Sequence, residues 1–448
     1  SWYTGTSNRQ LSVDFTRRQV VDVHIDRGWD ELSRGVGHTD DGEEAWVSGA
    51  LPGERVRARI SHISQRGRIF GVTQDVLTAS AERVPVPCEH FLSCGGCDLL
   101  HADLTAQHAF KHHAVSSALS LSPADVDAVV PSPQALGYRA LAKFVVGPQG
   151  ELGSYRPRSH EVVDMAGCVI HAPVIETIAA LIRAQLSPNL ALRYVILRAS
   201  VKQDRVLVTL VVRRQVDAEL KPLVTRLAER SEVAQVVLHV NESPGNALLG
   251  PGTYVVLYAG DSIAESLDGL EQRLHPGAFS QINPAAAVGL YEQVLRLADP
   301  KDKRVLDLYC GSGGISRALI QAGARRVHGV EANPEAVTAA KASSSSDRVS
   351  FQAAPVDAVV DSLSDYDLVV VNPPRKGLSP ALTHALSQLP TMDLVYVSCN
   401  PKSLARDVAS LKGHTHATIR RVVPVDMFPH TRHVETVLHL KSSEERST

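Results

Sequence analysis

The sequence predicts an α/β protein with a C-terminal doubly wound parallel sheet, an α+β middle domain and an N-terminal β-barrel. Three observations support this fold class. After about residue 285, short buried strands alternate with amphipathic helices, which is the pattern of βαβ units. A glycine-rich turn follows the first of those strands, and short strand-like segments separated by turns fill the N-terminal part. We therefore divide the chain into residues 13–79, 80–270 and 271–441.

Residues 13–79 predict a small closed barrel, because segments with strand-like alternation are separated by Gly and Asp turns. The predicted strands are Val20–Ile25, Ala45–Val47, Arg55–Ile60 and Arg68–Val72. Five arginines recur in this part, mostly at alternate positions: Arg55, Arg57, Arg59, Arg66 and Arg68. Alternate residues of a strand share one face, so these arginines favour a basic surface that contacts phosphates. A solvated strand face is the alternative interpretation.

The middle part, residues 80–270, begins with a segment rich in cysteine and glycine and continues with strands and helices. The predicted strands are Leu141–Val146, Tyr194–Ser200, Arg205–Arg213, Gln235–Val240 and Tyr254–Tyr258, with helices near 173–186 and 217–230. In residues 271–441 the predicted strands are Val305–Leu308, Val327–Val330, Val349–Gln352, Leu368–Val371 and Leu394–Ser398. Open α/β sheets bind their ligands beyond the carboxyl ends of such strands, so the residues that follow each strand are the candidates for function.

The composition excludes several classes of protein. Hydrophobic residues make up 44% of the 448 residues and charged residues 21%, as in a globular protein and unlike a disordered one. The 46 basic and 48 acidic residues give a net charge of −2, so any RNA binding depends on a local basic patch. Neither an apolar run of about 18 residues nor a signal-peptide pattern occurs, so we expect a cytoplasmic protein that makes no membrane contact. Nothing suggests an obligate protein partner.

Cys399 follows the fifth predicted strand of the C-terminal sheet, in the run Val-Ser-Cys-Asn-Pro (397–401). A thiol at this edge lies within reach of a ligand, and a thiolate is a strong nucleophile. The alternative is that Cys399 is a small buried residue with a packing role, since free cysteine is among the most buried residue types.

Two further features follow neighbouring strands. The run Asp307-Leu-Tyr309-Cys-Gly311-Ser-Gly313 is a glycine-rich turn that opens a helix, and Glu331 ends the next strand about 20 residues later. Such a carboxylate accepts hydrogen bonds from ribose hydroxyls. The third glycine of the G-x-G-x-x-G spacing and a Walker lysine are missing, which disfavours dinucleotide and phosphate ligands. The fourth strand ends in Asn372, and two prolines after it would hold its amide at a fixed point.

These motifs resemble two nested families. The glycine-rich turn with its following acid is similar to class I S-adenosylmethionine methyltransferases, which implies a Rossmann-like domain. With Cys399, with Phe279-Ser-Gln281-Ile-Asn283 and with the segment 427–435 (MFPHTRHVE), the chain resembles the RNA 5-methyluridine (uracil-C5) methyltransferases. The resemblance implies that Cys399 is the nucleophile and Glu435 the base. It also implies that five residues surround S-adenosyl-L-methionine: Gln281, Tyr309, Gly311, Glu331 and Asn372.

The reaction of that family explains the residue types. Uracil C5 is a poor nucleophile, but addition of a thiolate at C6 gives C5 enolate character, so that C5 can attack a sulfonium methyl group. A base then removes the C5 proton. Many relatives have Asp at the position of Asn372, and an amide there cannot act as a base, which favours Glu435. Asn372-Pro373-Pro374 also resembles amino-group methyltransferases, although Arg375 occupies the place of their aromatic residue.

Four other cysteines predict a metal site: Cys88, Cys94, Cys97 and Cys168. Their spacing suits either zinc or an iron–sulfur cluster, and the family resemblance implies a [4Fe–4S] cluster with a structural role. The N-terminal barrel resembles a TRAM domain, an OB-like RNA-binding module, through Gly35-Val-Gly37 and Leu51-Pro-Gly53-Glu54. The resemblance implies RNA as the partner and favours 23S ribosomal RNA over transfer RNA. The different-class alternative is a non-catalytic iron–sulfur protein that binds RNA.

Overall fold

Five strands close into a barrel in the N-terminal part of the chain. The structure, a computed structural model, describes residues 15–157, 159–186, 190, 192–214, 217–243, 249, 253–414 and 417–442, so residues 13 and 14 of the predicted barrel lie outside the described residues. The strands are β1 (Val20–His24), β2 (Gly35–Thr39), β3 (Glu44–Ser48), β4 (Arg55–Ile63) and β5 (Ile69–Thr78). Their order around the barrel is β1-β2-β3-β5-β4, which confirms the predicted closed barrel.

The outer face of β4 is less basic than its sequence suggests. Arg55 and Arg57 alternate with buried Val56 and point outward, as the pattern predicts. However, Arg57 pairs in register with Asp22 of β1 and donates to its carboxylate over 3.0 Å. Arg55 donates to Asp40 over 2.9 Å. These acids offset the charge of two of the five arginines, and contact of this surface with phosphates remains a prediction.

Helix α1 (Leu104–Ala118) follows the cysteine-rich segment and was not predicted. Its buried face includes Gln107 and Lys111, each 0% exposed, so the helix lacks the apolar periodicity that marks an amphipathic helix. Gln107 accepts the backbone N–H of His430 over 2.7 Å, and Lys111 Nζ donates to the carbonyl of Phe428 over 2.9 Å.

A mixed seven-stranded sheet forms the middle of the chain, in the order β12-β11-β10-β9-β6-β7-β8. Its elements are β6 (Leu141–Val146), β7 (Leu152–Tyr155), β8 (Val162–Asp164), α2 (Pro173–Gln185), β9 (Leu192–Ser200), β10 (Arg205–Val212), α3 (Asp217–Ala228), β11 (Val233–Val240) and β12 (Tyr254–Ala259). Residues of both helices join one core with the sheet, among them Ile178 and Leu223. The predicted strands and helices are confirmed here, while β7 and β8 were not predicted.

A short hairpin and one helix lead into the C-terminal sheet. The hairpin strands are β13 (Ala264–Leu267) and β14 (Leu270–Arg273), and the helix is α4 (Pro284–Ala298). Asp268 and Gly269 turn the hairpin with positive φ angles of 48° and 80°, as a two-residue hairpin loop requires. The Asn283 side chain caps α4 by accepting the Ala286 N–H over 3.1 Å.

The C-terminal sheet has seven strands in the order β17-β16-β15-β18-β19-β21-β20. Its elements are β15 (Arg304–Leu308), α5 (Gly314–Gln321), β16 (Arg326–Glu331), α6 (Pro334–Ala342), β17 (Val349–Ala353), β18 (Leu368–Val371), α7 (Pro380–Ser387), β19 (Asp393–Ser398), α8 (Pro401–His414), β20 (Thr418–Val425) and β21 (Glu435–Lys441). Strands β15 to β19 are parallel, which confirms the predicted α/β fold class, and β21 is antiparallel to both its neighbours.

The chain forms two compact units. Within the described residues, the first unit contains 15–114, 156–157 and 428–432, and the second contains the remainder. The division into three domains at residues 79 and 270 remains a prediction. Every helix in the described ranges is too short or too polar to cross a lipid bilayer.

Candidate active site

A pocket opens beyond the carboxyl end of β15, the central strand of the parallel set. Four of the residues expected around the cofactor line it together: Gln281, Tyr309, Gly311 and Asn372. The turn that forms its floor requires left-handed backbone at Tyr309, Gly311 and Gly313, with φ angles of 60°, 55° and 77°. Glycine adopts such angles without strain, so the two glycines of the sequence motif shape this turn.

Glu331, the fifth expected cofactor residue, ends the neighbouring strand β16 and holds the turn from the side. Its carboxylate accepts the Gly311 N–H over 3.1 Å and the Asn333 N–H over 2.9 Å. A Cβ added at Gly311 would meet no atom within 4 Å, so the space next to this glycine is open for a ligand.

Two buried groups support the pocket, and one of them, Tyr291, is part of its lining. Tyr291 of α4 hydrogen-bonds the Gln281 side chain, and burial raises the pKa of its phenol to about 12, so it stays protonated. Asp307 on β15 is 0% exposed and accepts the Ser316 hydroxyl over 2.5 Å. Burial raises the pKa of Asp307 to about 7. Sequence reasoning missed Tyr291, because its position on an amphipathic helix is that of an ordinary core residue.

Cys399 lies in the turn between β19 and α8, as its sequence position predicts. The Ser398 hydroxyl accepts the Asn400 N–H over 3.1 Å and thereby closes the turn around the cysteine. The thiol is partly exposed and belongs to no disulfide. It therefore lies at the same edge of the sheet as the pocket, where both β15 and β19 end.

Glu435 is brought next to Cys399 by strand pairing. The antiparallel register of β19 and β21 pairs Ser398 with Thr436, and the next position along each strand is Cys399 and Glu435. Burial raises the pKa of Glu435 to about 8, and the positive charge of Arg375 opposes this rise. Burial also raises the pKa of the Cys399 thiol, and the nearby Glu435 carboxyl raises it further.

Arg375 completes this group and was not expected as a site residue. Its positive charge and its hydrogen bond to Cys399 lower the pKa of the thiol. The Asn400 side-chain amide donates to the Arg375 carbonyl over 3.0 Å, and one guanidinium nitrogen lies 3.4 Å from His433 Nδ1. The sequence drew attention to Arg375 only because it follows Asn372-Pro-Pro, where the comparison with amino-group methyltransferases expected an aromatic ring.

Asp407 of α8 anchors the loop that presents Arg375. Its Oδ2 accepts the backbone N–H of Leu378 and the hydroxyl of the buried Tyr396, each over 2.8 Å. Asp407 is 4% exposed, so the loop after β18 is tied to the protein interior. No sequence signal singled out this aspartate, because it lies within a helix with a regular apolar pattern.

Comparison with known proteins identifies the family. The methyltransferase small domain matches residues 270–388, and the tRNA (uracil-5-)-methyltransferase family matches residues 356–443. A protein of Geobacter sulfurreducens, named as an uncharacterized RNA methyltransferase, is 36% identical over 91% of this chain and 87% of its own. One of Gloeobacter violaceus with the same description is 34% identical over 91% and 94%. The chain belongs to the RNA (uracil-5-)-methyltransferase family.

A solved structure extends this likeness to almost the whole methyltransferase. The Pyrococcus abyssi tRNA (uracil-54, C5)-methyltransferase, crystallised with S-adenosyl-L-homocysteine, superposes with a TM-score of 0.72 at 25% identity. The match covers 93% of this chain and 100% of the other. The predictions of an RNA methyltransferase and of a Rossmann-like S-adenosylmethionine methyltransferase fold are thereby confirmed.

The four cysteines predicted to bind a metal are divided between the two units of the methyltransferase. Cys88, Cys94 and Cys97 belong to the first unit and Cys168 to the second. All are partly exposed and outside disulfides, and the Gly96 N–H donates to Cys94 Sγ over 3.4 Å. Within the described ranges, His, Cys, Asp and Glu form no group of three or more that is arranged to hold a metal ion. The metal site remains a prediction.

Proposed function

We propose that this methyltransferase transfers a methyl group from S-adenosyl-L-methionine to C5 of a uridine in RNA, through a covalent bond between Cys399 and C6 of the uracil. The observation that supports this most strongly is the register of β19 and β21, which gives a nucleophile and a carboxyl group neighbouring positions. An amino-group methyltransferase has no use for either residue.

The reaction proceeds by addition of a thiolate, transfer of a methyl group and elimination of the thiolate. The Cys399 thiolate adds to C6 of the uracil, and the electrons of the C5–C6 double bond move towards O4. When bound, S-adenosyl-L-methionine supplies an electrophilic methyl group, which C5 takes, and S-adenosyl-L-homocysteine is left. The ionised Glu435 carboxylate then accepts the C5 proton, the double bond re-forms and the C6–sulfur bond breaks. The released thiolate is ready for the next uridine.

Arg375 fits this scheme as the group that favours the ionised forms. Both the Cys399 thiol and the Glu435 carboxyl have pKa values raised by burial, and the positive charge of Arg375 lowers both. A cation next to a thiol stabilises the thiolate that must attack. A uridine can reach this group only after it leaves its base stack, so we propose base flipping.

The pocket beyond β15 suits the cofactor. Open space at Gly311 allows a ligand to approach the backbone, while Glu331 and the Gln281 side chain provide hydrogen-bonding groups. We assign Gln281, Tyr309, Gly311, Glu331 and Asn372 to S-adenosyl-L-methionine binding. Asn372 lines the same pocket and, as an amide, orients the cofactor or the uracil without acting as a base.

The N-terminal barrel suits RNA binding as a TRAM domain, through aromatic side chains on β3, β4 and β5 and through Arg68, which directly precedes β5. Phe70 lies 5.6 Å from the ring of Trp46 and stacks at 5.9 Å with the exposed His62. The Arg68 guanidinium lies 5.2 Å over the Trp46 ring. Trp46 is only 6% exposed and supports the outer groups, so we propose Phe70, His62 and Arg68 for stacking with single-stranded bases.

Cys88, Cys94, Cys97 and Cys168 would hold a [4Fe–4S] cluster, for which four thiolates are the appropriate donors. The Gly96 N–H already donates to Cys94 Sγ, a bond that stabilises a thiolate ligand. Next to Cys97, Asp98 pairs with Arg432 over 2.6 Å, and Leu99 N–H donates to the His430 carbonyl over 2.9 Å. The cluster would thus stabilise the segment that precedes Glu435 in the chain, a structural role without electron transfer.

Two resemblances point to different RNA substrates. The combination of barrel and cluster favours 23S ribosomal RNA, while the Pyrococcus abyssi structure is that of a transfer RNA enzyme. We propose 23S RNA as the substrate and the cytoplasm as the location, with transfer RNA as the second candidate.

Nucleoside analysis tests the proposal. Unmethylated 23S RNA and transfer RNA, kept separate, are incubated with S-adenosyl-L-methionine and the protein or its Cys399→Ala variant. We expect new 5-methyluridine in 23S RNA that was incubated with the protein, and none in 23S RNA that was incubated with the Cys399→Ala variant. Formation of 5-methyluridine in transfer RNA alone would show that transfer RNA, and not 23S RNA, is the substrate. A methylated exocyclic amine would support an amino-group enzyme, and absence of both product and cofactor binding would support a non-catalytic RNA-binding protein.

A further inference from the structure

Three cations share the face of the middle sheet that its helices leave uncovered. Side chains alternate along β6, so Ala142 and Phe144 join the core under α2 and α3 while Leu141 and Lys143 point to the other face. Arg139 lies just before β6, and its positive charge lowers the pKa of Lys143, so the two side chains are close to each other. In the register of β6 and β9, Leu141 pairs with Arg198, which places Arg198 diagonally next to Lys143.

Among the described residues, the hydrogen-bond partners of Arg139 and Arg198 are neutral groups. Arg139 Nε donates to the Leu141 carbonyl over 2.9 Å, and the Arg198 guanidinium donates to the Ser280 hydroxyl and, over 3.5 Å, to the Pro276 carbonyl. All these acceptors are neutral. Within the described part of the chain, none of Arg139, Lys143 and Arg198 forms a salt bridge with a carboxylate.

The cations also influence one another's protonation. Burial lowers the pKa of Lys143, and the positive charges of Arg198 and Arg139 lower it further. Arg198 is only 6% exposed, and burial lowers its pKa to about 10. Its buried Nε finds no acceptor among the described residues. A buried guanidinium with an unused donor, next to two other cations, is costly unless an anion is bound there.

The three cations adjoin the loop that leads to the active site. Arg198 holds this loop at Ser280, and the Ala140 N–H donates to the Ile282 carbonyl over 2.7 Å. Between these two attachments lies Gln281, which lines the cofactor pocket, and Phe279 next to Ser280 is 59% exposed. A ligand on the cations would therefore lie close to the residues that surround the reacting groups.

We propose that Arg139, Lys143 and Arg198 bind a phosphate of the RNA strand that carries the target uridine. The identity of the strand rests on the proposed function, whereas the anion site rests on the cations themselves. The carboxylate of the cofactor is a poorer match, because none of the three cations lines the cofactor pocket. Lys143 is the exposed member of the three, so the site is open to a phosphodiester of an RNA strand. Arginine and lysine are the side chains that most often contact such phosphates.

Equilibrium binding of RNA at several salt concentrations tests the site. Fluorescence anisotropy of a labelled unmethylated uridine-containing RNA is measured for the protein, for Lys143→Gln and for Lys202→Gln. Lys202 lies in the exposed turn between β9 and β10, so its variant makes the same change of charge away from the site. We expect Lys143→Gln to weaken binding roughly fivefold and to reduce the slope of log Kd against log salt by about one, as loss of one phosphate contact does. Lys202→Gln should match the wild type.

Two further measurements make the outcome decisive. Arg198→Gln, checked by thermal unfolding to be folded, should also lower the salt slope. Calorimetry should give Lys143→Gln the wild-type affinity for S-adenosyl-L-methionine, because within the described residues Lys143 forms no hydrogen bond with the loop around Gln281. Equal salt slopes for Lys143→Gln and Lys202→Gln, or a loss of cofactor affinity instead of RNA affinity, would overturn the proposal. Because binding is measured without turnover, failure of this site is distinguishable from failure of uracil methylation.

Discussion

Cys399 and Glu435 lie opposite each other at the point where the antiparallel strands β19 and β21 begin to pair, one position beyond Ser398 and Thr436. The two residues are 36 positions apart in the chain, and the strand register alone makes them neighbours. Burial raises the pKa of both groups, the Glu435 carboxyl raises the pKa of the Cys399 thiol further, and the positive charge of Arg375 lowers both pKa values. The chemistry of the site therefore depends on one cation that favours the ionised forms of two acidic groups.

The pH dependence of the reaction should reflect Glu435. Its folded pKa of about 8 lies above the ordinary value, so the carboxyl is mostly protonated at neutral pH and becomes a base as the pH rises. The thiol, whose pKa is also raised, ionises in the same direction. We expect kcat/KM for RNA to rise with pH through about 8, because this parameter follows the free enzyme. A plateau already reached at pH 6 would show that Glu435 is ionised at neutral pH.

Removal of the Arg375 charge should move this profile. Arg375→Ala should shift the rising limb of kcat/KM to higher pH and lower the rate at pH 7 by roughly tenfold, the effect of about one pKa unit. Arg375→Lys keeps the positive charge and should shift the limb less. Lys376→Ala removes the neighbouring exposed cation and serves as the control. If Arg375→Ala and Lys376→Ala have the same profile, Arg375 does not stabilise the ionised groups.

Glu435→Gln should increase stability at high pH although it removes the base. Because the folded pKa of Glu435 is raised, the wild type loses stability as the pH rises from about 5 through 8, and a neutral amide does not. We expect the variant to gain about 2 kcal/mol at pH 9, after allowance for solvent screening, and nothing at pH 4. Thermal unfolding at both pH values measures this. The exposed Glu292→Gln on α4 is the control, and equal behaviour of both variants would contradict the raised pKa.

Lys111 should be important for stability despite its charge. It is 0% exposed, donates to the Phe428 carbonyl over 2.9 Å and interacts with the carboxylate of Asp98. Lys111→Met keeps the shape but removes the cation, so we expect a loss of about 3 kcal/mol in the free energy of unfolding. Denaturant unfolding measures it, with the exposed Lys202→Met as control. A loss no greater than that of the control would mean that the buried cation contributes nothing.

The parts of the fold that sequence predicted are those with clear local patterns. The five parallel strands are short apolar runs, and the Gly311–Gly313 turn after β15 has the residues that its left-handed backbone requires. Because parallel strands end at one edge, the same pattern predicted that Tyr309 and Asn372 belong to one site, and the family resemblance added Gln281. All three residues line one pocket. Their role in cofactor binding remains a proposal.

The parts that sequence missed depend on contacts distant in the chain. Helix α1 was missed because its buried face includes Gln107 and Lys111, whose partners lie more than 300 residues away. The strand pattern of β4 did not show that the charge of Arg57 is offset, because the acid that pairs with it comes from β1. Nothing in the local pattern around Arg375 indicates that it hydrogen-bonds Cys399, since that contact requires two loops to meet.

The most direct test is mass spectrometry of the Glu435→Gln variant after incubation with RNA and S-adenosyl-L-methionine. Without the carboxylate, the C5 proton stays in place and the thiolate cannot leave. We expect a methylated uridine covalently attached to the peptide that contains Cys399, and no attachment in the double variant with Cys399→Ala. Formation of 5-methyluridine by the single Cys399→Ala variant at the wild-type rate, or absence of any adduct at Cys399, would contradict the mechanism.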